Sequence, residues 1–210
     1  MPTSDKYAYE ADVKQWVLDN GYLFSSDKDA IAIFEKLIYK VRVDCLIMDK
    51  DKITGIEIKT NHDTNKRLEH QLKEYLLICD KVYVLVHDEM YPKVVDIVNE
   101  YPKVGIICYN EINNRIVGGL LRGAKDNQPS YQSQLWRLLW GTETRSLAAS
   151  QGLPVGKLSR RKVLNSYLLS TLGPKKVSYL IRQTYMHKNF DPEHLLKIQK
   201  VDTRELSERL

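Results

Sequence analysis

Residues 40–60 read KVRVDCLIMDKDKITGIEIKT and combine two strand patterns with a polar turn. Side chains from residue 40 to 48 alternate between two faces, which is the period of a β-strand. The polar residues 49–52 are typical of a turn, and residues 53–60 have the pattern of a returning strand. We therefore predict an antiparallel hairpin that is half buried.

Three residues of this hairpin carry chemically informative side chains. If the turn is symmetric about its centre, Asp44 lies directly opposite Glu57, with Cβ atoms about 4.5–5.5 Å apart. Like charges so placed repel, whereas two carboxylates, a main-chain carbonyl such as that of Ile58, and waters suit Mg²⁺. Lys59 shares the face of Glu57 and is placed to orient or deprotonate a metal-bound water. A one-residue shift in register would remove the opposition and leave a solvated strand face.

A helix predicted over residues 64–79 follows the hairpin, with Asp63 as its N-cap. Its apolar residues recur at helical spacing, and Gln71 and Tyr75, four residues apart, share one side. Together with the two acids they predict the wall of a cleft. Taken singly, Tyr75 also fits a boundary position of the core, and Gln71 also fits a solvated surface.

The first 121 residues have the pattern of a mixed α/β domain. Besides the hairpin and the helix after it, the patterns predict helices over 7–20, 29–37 and 92–100, and strands over 81–86, 104–109 and 115–121. The helices and strands are interspersed along the chain, so we expect a mixed sheet flanked by helices.

The charge of the chain is divided unevenly between its two halves. Residues 1–121 carry 16 Lys and Arg against 20 Asp and Glu, whereas residues 122–210 carry 16 against 7. Residues 122–130 are polar and contain Gly and Pro, so they are predicted to be a linker. Residues 131–210 have the pattern of a small, all-helical, basic domain. Such a charge excess favours a polyanionic partner, and a basic solvated surface is the alternative.

The composition excludes several classes of protein. With 210 residues, 43% of them apolar, the chain has enough apolar residues for a core and is not a disordered tail. Its three cysteines are odd in number and widely spaced, which argues against a disulfide framework. No apolar run is long enough to cross a membrane, and the N-terminus has no apolar signal core. We therefore expect a soluble, cytoplasmic protein with no membrane partner.

Asp44, then Glu57-x-Lys59, then Gln71-x-x-x-Tyr75 resembles the PD-(D/E)XK nuclease superfamily, in its branch with a Q-x-x-x-Y helix. The first half of the chain is similar to a poorly characterised family of small bacterial and phage proteins assigned to that superfamily. The resemblance implies a restriction-endonuclease-like fold and a Mg²⁺ or Mn²⁺ cofactor. One departure is the residue before Asp44, which is valine where the superfamily pattern has proline.

The resemblance also implies a role for each site residue. Asp44, Glu57 and the carbonyl of Ile58 become metal ligands, and Lys59 becomes the catalytic lysine that assists the attacking water. Gln71 and Tyr75 become residues that orient the site.

An acid from the first helix often completes such sites. In this chain that acid is Glu10, as an outer or second-metal ligand. Asp12 and Glu35 compete with Glu10 for this role.

The basic half has a second, less specific pattern. Residues 144–168 resemble a SAP-type DNA-binding element, in which a short helix, a glycine-containing loop and a helix that begins with cations follow one another. Free N–H groups at a helix start beside cations suit phosphate binding. The candidate nucleic-acid contacts are Lys157, Arg160, Arg161, Lys162, Lys175 and Lys176. Since no base-reading pattern is visible, we expect salt-sensitive binding without sequence preference.

These expectations combine into one functional hypothesis. It is a Mg²⁺-dependent DNA nuclease, expected to be an endonuclease, whose basic helical half holds duplex, branched or single-stranded DNA. A homodimer is one expectation, because enzymes that cut both strands are often two-fold symmetric. The alternatives are an inactive nucleic-acid-binding or regulatory protein on the same fold, a nuclease specific for Holliday junctions or flaps, and an RNase.

Overall fold

The computed structural model describes residues 5–38, 41–113, 115–156, 160–189 and 191–198. It contains one mixed sheet flanked by helices, with further helices toward the C-terminus, which confirms the predicted α/β class. The strands are β1 (Ile31–Ile38), β2 (Val41–Met48), β3 (Ile53–Lys59), β4 (Lys81–His87), β5 (Gly105–Ile112) and β6 (Arg115–Arg122). The helices are α1 (Asp5–Asp19), α2 (Leu68–Leu76), α3 (Tyr91–Asn99), α4 (Tyr131–Leu138), α5 (Gly141–Ser150), α6 (Arg161–Leu172) and α7 (Pro174–Asn189), with single 3-10 turns at Gly21–Leu23 and Pro192–His194.

The six strands lie in the sheet in the order of the chain. The pairs β1–β2, β2–β3 and β5–β6 are antiparallel, whereas β3, β4 and β5 are parallel and are connected through α2 and α3. Buried residues of α1 belong to the core on one face of the sheet. Buried residues of α2, α3 and the C-terminal helices belong to the core on the other face. The sheet is therefore covered on both sides.

The predicted hairpin is confirmed in its register. Cys45 pairs with Ile56, and Met48 at the turn end of the ladder pairs with Ile53. The next position outward would place Asp44 opposite Glu57, as the symmetric turn predicts. There the main-chain pairing stops, and the Asp44 carboxylate Oδ2 accepts the main-chain N–H of Ile58 at 2.8 Å.

The prediction of a short helix over residues 29–37 is wrong, because most of this segment belongs to strand β1. Ile31 and Ile33 contribute to the core on one face of the sheet, and Ala32 contributes to the core on the other. With apolar side chains on both faces, the period of two that marks a strand is hidden in the sequence. Glu35 has a left-handed backbone (φ 55°) and is skipped in the ladder at the position opposite Asp44, while the register is the same on both sides of it.

Helix α2 begins at Leu68, four residues later than the sequence predicts. Asp63 does not cap it. Its carboxylate instead accepts the main-chain N–H of Thr60 at 2.8 Å and the Thr60 hydroxyl at 2.9 Å, which closes a turn directly after β3.

Gly55 lets α2 approach β3 closely. A Cβ atom at this position would lie 2.8 Å from a ring carbon of Tyr75 and 2.9 Å from Cys79 Sγ. The absence of a side chain on β3 therefore fixes how deeply the Tyr75 ring sits on the sheet.

The basic half packs against the same face of the sheet as α2. Gln134 of α4 donates to the carbonyl of Ile78 at 2.8 Å, and Arg137 forms an ion pair with Glu74 of α2 at 3.0 Å. Arg182 of α7, which is 7% exposed, donates twice to the carbonyl of Lys50, at 2.9 and 3.1 Å. Apolar residues of both halves belong to one continuous core.

The predicted linker, residues 122–130, consists of the end of β6 and a segment without helix or strand. This segment is fixed to the α/β half, because the Asn127 side chain donates to the carbonyls of Leu76 and Cys79 at 2.7 and 3.0 Å. The division into two domains remains a prediction.

Within the described ranges, no helix has the length and apolar character needed to cross a membrane.

Candidate active site

A cleft of about 350 Å³ opens beside the point where β2 and β3 stop pairing. It brings together five of the predicted site residues from β2, β3 and α2, and Glu10 from α1. The residues that line it are Glu10, Glu35, Arg42, Asp44, Glu57, Ile58, Lys59, Thr60, His62, Asp63, Arg67 and Gln71. The sequence-predicted acids, lysine and glutamine therefore share one surface.

Tyr75 lies beneath this surface and connects the two acids. Its ring is fully buried, and its hydroxyl donates to Glu57 Oε2 at 2.9 Å. The hydroxyl oxygen of Tyr75 also accepts the main-chain N–H of Asp44 at 3.0 Å. Tyr75 is thus a core residue, as the alternative interpretation of the sequence had it, and it also fixes the positions of both strands at the site.

Lys59 is held in place by two side chains. Its Nζ lies 2.6 Å from Glu57 Oε1 and donates to Gln71 Oε1 at 3.2 Å. Lys59 is 5% exposed and Gln71 is 9% exposed, so both reach the cleft from a buried position. An ammonium group has three protons, and the two hydrogen bonds to Glu57 and Gln71 leave one without a partner among the described residues.

The two carboxylates share an unfavourable electrostatic environment. Burial, together with the nearby Glu57 carboxylate, raises the pKa of Asp44 to about 8. Burial also raises the pKa of Glu57, although the Lys59 ammonium opposes that shift. Negative charge at this point is therefore costly unless a cation compensates it.

The residues fit a divalent cation of the Mg²⁺ type. Asp44 Oδ1 has no hydrogen-bond partner among the described residues, and Ile58 lines the same cleft. The free Asp44 oxygen is of the kind that Mg²⁺ takes together with waters, whereas both Glu57 oxygens already bond, to Lys59 and to Tyr75. In the part of the chain that the structure describes, no three His, Cys, Asp or Glu side chains converge as a metal cage.

The acid from the first helix is part of an ion-pair network at the edge of the cleft. Lys14 Nζ lies 2.9 Å from both Glu10 Oε1 and Glu35 Oε1, and Arg42 Nε lies 2.5 Å from Glu35 Oε2. The structure therefore brings both Glu10 and its competitor Glu35 to the site. Asp12, the other competitor, is exposed and does not line the cleft.

The candidate DNA contacts in the basic half have different surroundings. Lys157 lies outside the described residues. Arg160 and Lys162 are exposed at the start of α6, and Lys175 and Lys176 are exposed in the first turn of α7. The 12 residues of α6 lie between the two pairs in the chain.

Arg161 differs from its neighbours because its guanidinium donates hydrogen bonds to the carbonyls at the C-terminal end of α4. Nη2 donates to the carbonyls of Leu135 at 2.9 Å and Trp136 at 2.5 Å, and also to that of Leu139. The group stacks on the Trp136 ring, 4.4 Å from its centroid. Nη2 of Arg161 is therefore used within the protein, and the assignment of Arg161 to nucleic-acid binding remains a prediction.

We expect Arg161→Ala to lower stability and to leave nucleic-acid affinity nearly unchanged. Loss of charged hydrogen bonds to the carbonyls at the end of α4 costs about 2 kcal/mol, or roughly 4–8 °C in Tm for a chain of this size. Thermal unfolding of R161A beside Lys162→Ala, its exposed neighbour, measures the effect. Equal melting temperatures for the two variants would contradict the structural role.

Residues 3–208 match the family model described as Bacteriophage P4 protein cII. The match spans nearly the whole chain, so it includes both the cleft and the helical half. No curated protein and no solved structure matches the chain. The family description names no activity, and the chemistry of the cleft therefore has to be inferred from its own residues.

Proposed function

We propose that the chain, which belongs to the bacteriophage P4 protein cII family, is a divalent-metal-dependent nuclease that hydrolyses phosphodiester bonds of DNA. The observation that carries the proposal is the convergence of Asp44, Glu57 and Lys59 on one cleft. Asp44, Glu57 and the carbonyl of Ile58 would hold the ion. Such an ion, when bound, lowers the pKa of a water and offsets the negative charge of a phosphate.

Lys59 supplies the hydrogen-bond donor of this chemistry. In hydrolysis, a water oxygen forms a bond to phosphorus, the ester P–O bond breaks, and a proton passes to the leaving oxygen. Negative charge grows on the phosphoryl oxygens in that transition state. The third ammonium proton of Lys59, whose other two are held by Glu57 and Gln71, is placed to donate to such an oxygen or to the attacking water.

Gln71 and Tyr75 act as positioning residues. Gln71 fixes the direction of the Lys59 side chain, and Tyr75 fixes the Glu57 carboxylate relative to the main chain of Asp44. Because both are buried on α2, they hold the site in one geometry before substrate arrives. Such preorganisation lowers the cost of assembling the transition state.

DNA as the substrate is supported by the placement of cations in the basic half. Arg160 and Lys162 lie at the start of α6, and Lys175 and Lys176 lie in the first turn of α7. Neither first turn contains an acid. Cations are unfavourable at a helix N-terminus because of the helix dipole, whereas bound phosphate is favourable there.

The decisive experiment is incubation of supercoiled and linear DNA with the purified protein and Mg²⁺ or Mn²⁺. We expect cleavage that chelation abolishes and that Glu57→Gln lowers by about 10²–10³-fold or more. Glu69→Gln is the matched control, since Glu69 is an exposed acid of α2 that pairs with Lys73 outside the cleft. RNA, flap and four-way-junction substrates in the same assay identify the preferred nucleic acid.

Two results would contradict the nuclease proposal. One is cleavage that persists unchanged in the E57Q variant, which would identify a contaminating enzyme. The other is the absence of cleavage together with calorimetric traces that show no Mn²⁺ binding to the wild type. That second result favours an inactive nucleic-acid-binding protein on the same fold.

A further inference from the structure

The cleft is lined by more acids than cations, and the cations differ in whether they already form an ion pair. Arg42 is bound to Glu35, and Lys59 is bound to Glu57. Arg67 also lines the cleft, is exposed, and has no ion pair or hydrogen bond from its guanidinium to any described residue. Of the arginines and lysines that line this cleft in the described ranges, Arg67 therefore retains its full donor capacity.

We propose that Arg67 is a phosphate-binding subsite for the nucleic-acid strand at the entrance of the cleft. This inference rests on the proposed nuclease function and extends it by naming the group that holds the backbone beside the bond to be cut. The ligand is a phosphodiester of the substrate strand. Guanidinium groups suit it, since their paired N–H donors match two phosphate oxygens.

The loop that carries Arg67 is fixed at both of its ends. Asp63 closes the turn to Thr60 at its start, and the Asn65 side chain donates to the carbonyl of Lys93 on α3 at 2.8 Å. At its end, the carbonyl of Arg67 accepts the main-chain N–H of Gln71 at 2.9 Å. Gln71 in turn binds Lys59, so the backbone of Arg67 is held at a constant position relative to the site.

The net negative charge of the cleft lining is the reason why an unpaired guanidinium would favour binding of a nucleic-acid strand. Five acids line the cleft against three arginine and lysine side chains, and although Glu10 and Glu35 are paired with Lys14 and Arg42, the remaining negative charge opposes the entry of a polyanion. A divalent ion and Lys59 compensate charge only at the centre. A strand that enters needs a further cation where it first meets the cleft, and Arg67 is such a cation with its donors unused.

Binding of a fluorescent DNA duplex, followed by anisotropy in Ca²⁺ over a series of salt concentrations, tests this subsite. Lys66→Ala is the matched control, because Lys66 is an exposed cation one residue away that does not line the cleft. For Arg67→Ala we expect about a tenfold rise in Kd, and a salt slope (log K against log salt) smaller by about 0.7–0.9. For K66A we expect less than about a twofold change in Kd.

The outcomes separate this inference from the function on which it rests. If the wild type binds and cleaves DNA while R67A and K66A have the same affinity and salt slope, the subsite is overturned and the nuclease proposal stands. If the wild type neither binds nor cleaves DNA, both are overturned. A selective loss in R67A, with an unchanged melting temperature, supports the subsite.

Discussion

Lys59→Met (K59M) is expected to abolish metal-dependent cleavage and to leave divalent-ion binding intact or tighter. The variant removes the donor that we propose acts on the phosphate, so the rate should fall by about 10²–10³-fold or more. It also removes the ammonium that competes for Glu57 Oε1, which lies 2.6 Å from Nζ. Loss of turnover with preserved Mn²⁺ affinity, measured by calorimetry, distinguishes a catalytic lysine from one that only supports the fold.

Lys73→Met is the control for this variant. Lys73 also lies close to a glutamate, with 2.6 Å between Nζ and Glu69 Oε1, but both side chains are exposed on α2 outside the cleft. We expect this variant to cleave DNA like the wild type. If K59M retained more than a tenth of the wild-type rate, Lys59 would have no direct role in the chemistry.

Asp44→Asn (D44N) is expected to stabilise the metal-free protein and to weaken divalent-ion binding at the proposed metal site. The pKa of Asp44 is about 8 in the folded chain and near 4 in the unfolded chain, so the folded state binds the proton more tightly. The ionised carboxylate therefore destabilises the fold progressively from about pH 4 to about pH 8, and by a constant amount above that. Asparagine does not ionise, and its side-chain oxygen can still accept the N–H of Ile58.

Thermal unfolding in a chelator at pH 4 and pH 8 measures this effect. We expect D44N to unfold roughly 5–10 °C above the wild type at pH 8, which corresponds to about 3 kcal/mol, and to match it near pH 4. Mg²⁺ should raise the melting temperature of the wild type and not that of D44N. Asp12→Asn, on an exposed part of α1, serves as the control. A lower melting temperature of D44N at pH 8 would show that Asp44 does not carry an uncompensated charge.

The hairpin and the acidic pair could be predicted because local rules determine them. A symmetric polar turn sets the register of β2 and β3, and the register alone places Asp44 and Glu57 at facing positions. The convergence of Lys59 and Gln71 follows from a strand period of two and a helix that returns over the same face. These residues needed only the spacing of neighbours in the sequence.

The other parts of the site depend on contacts between distant residues. Glu35 lies on a strand that has apolar side chains on both faces, so its pattern did not separate strand from helix. The role of Arg161 depends on three carbonyls at the end of a helix more than twenty positions earlier. Arg67 lies in a loop with no periodicity, and what identifies it is the absence of a partner among the described residues. Such roles arise from packing, which a single sequence does not encode in its spacing.

Contacts from α4 to α2 and to the residues just after it limit which C-terminal halves are compatible with this α/β half. Arg137 pairs with Glu74 on the helix that carries Gln71 and Tyr75, and Gln134 donates to the carbonyl of Ile78 just after that helix ends. Replacing the C-terminal half by an unrelated module would therefore also remove these contacts to α2 and to the residues just after it. Substitutions at these contacts in one half therefore have to be compatible with the residues that they meet in the other half.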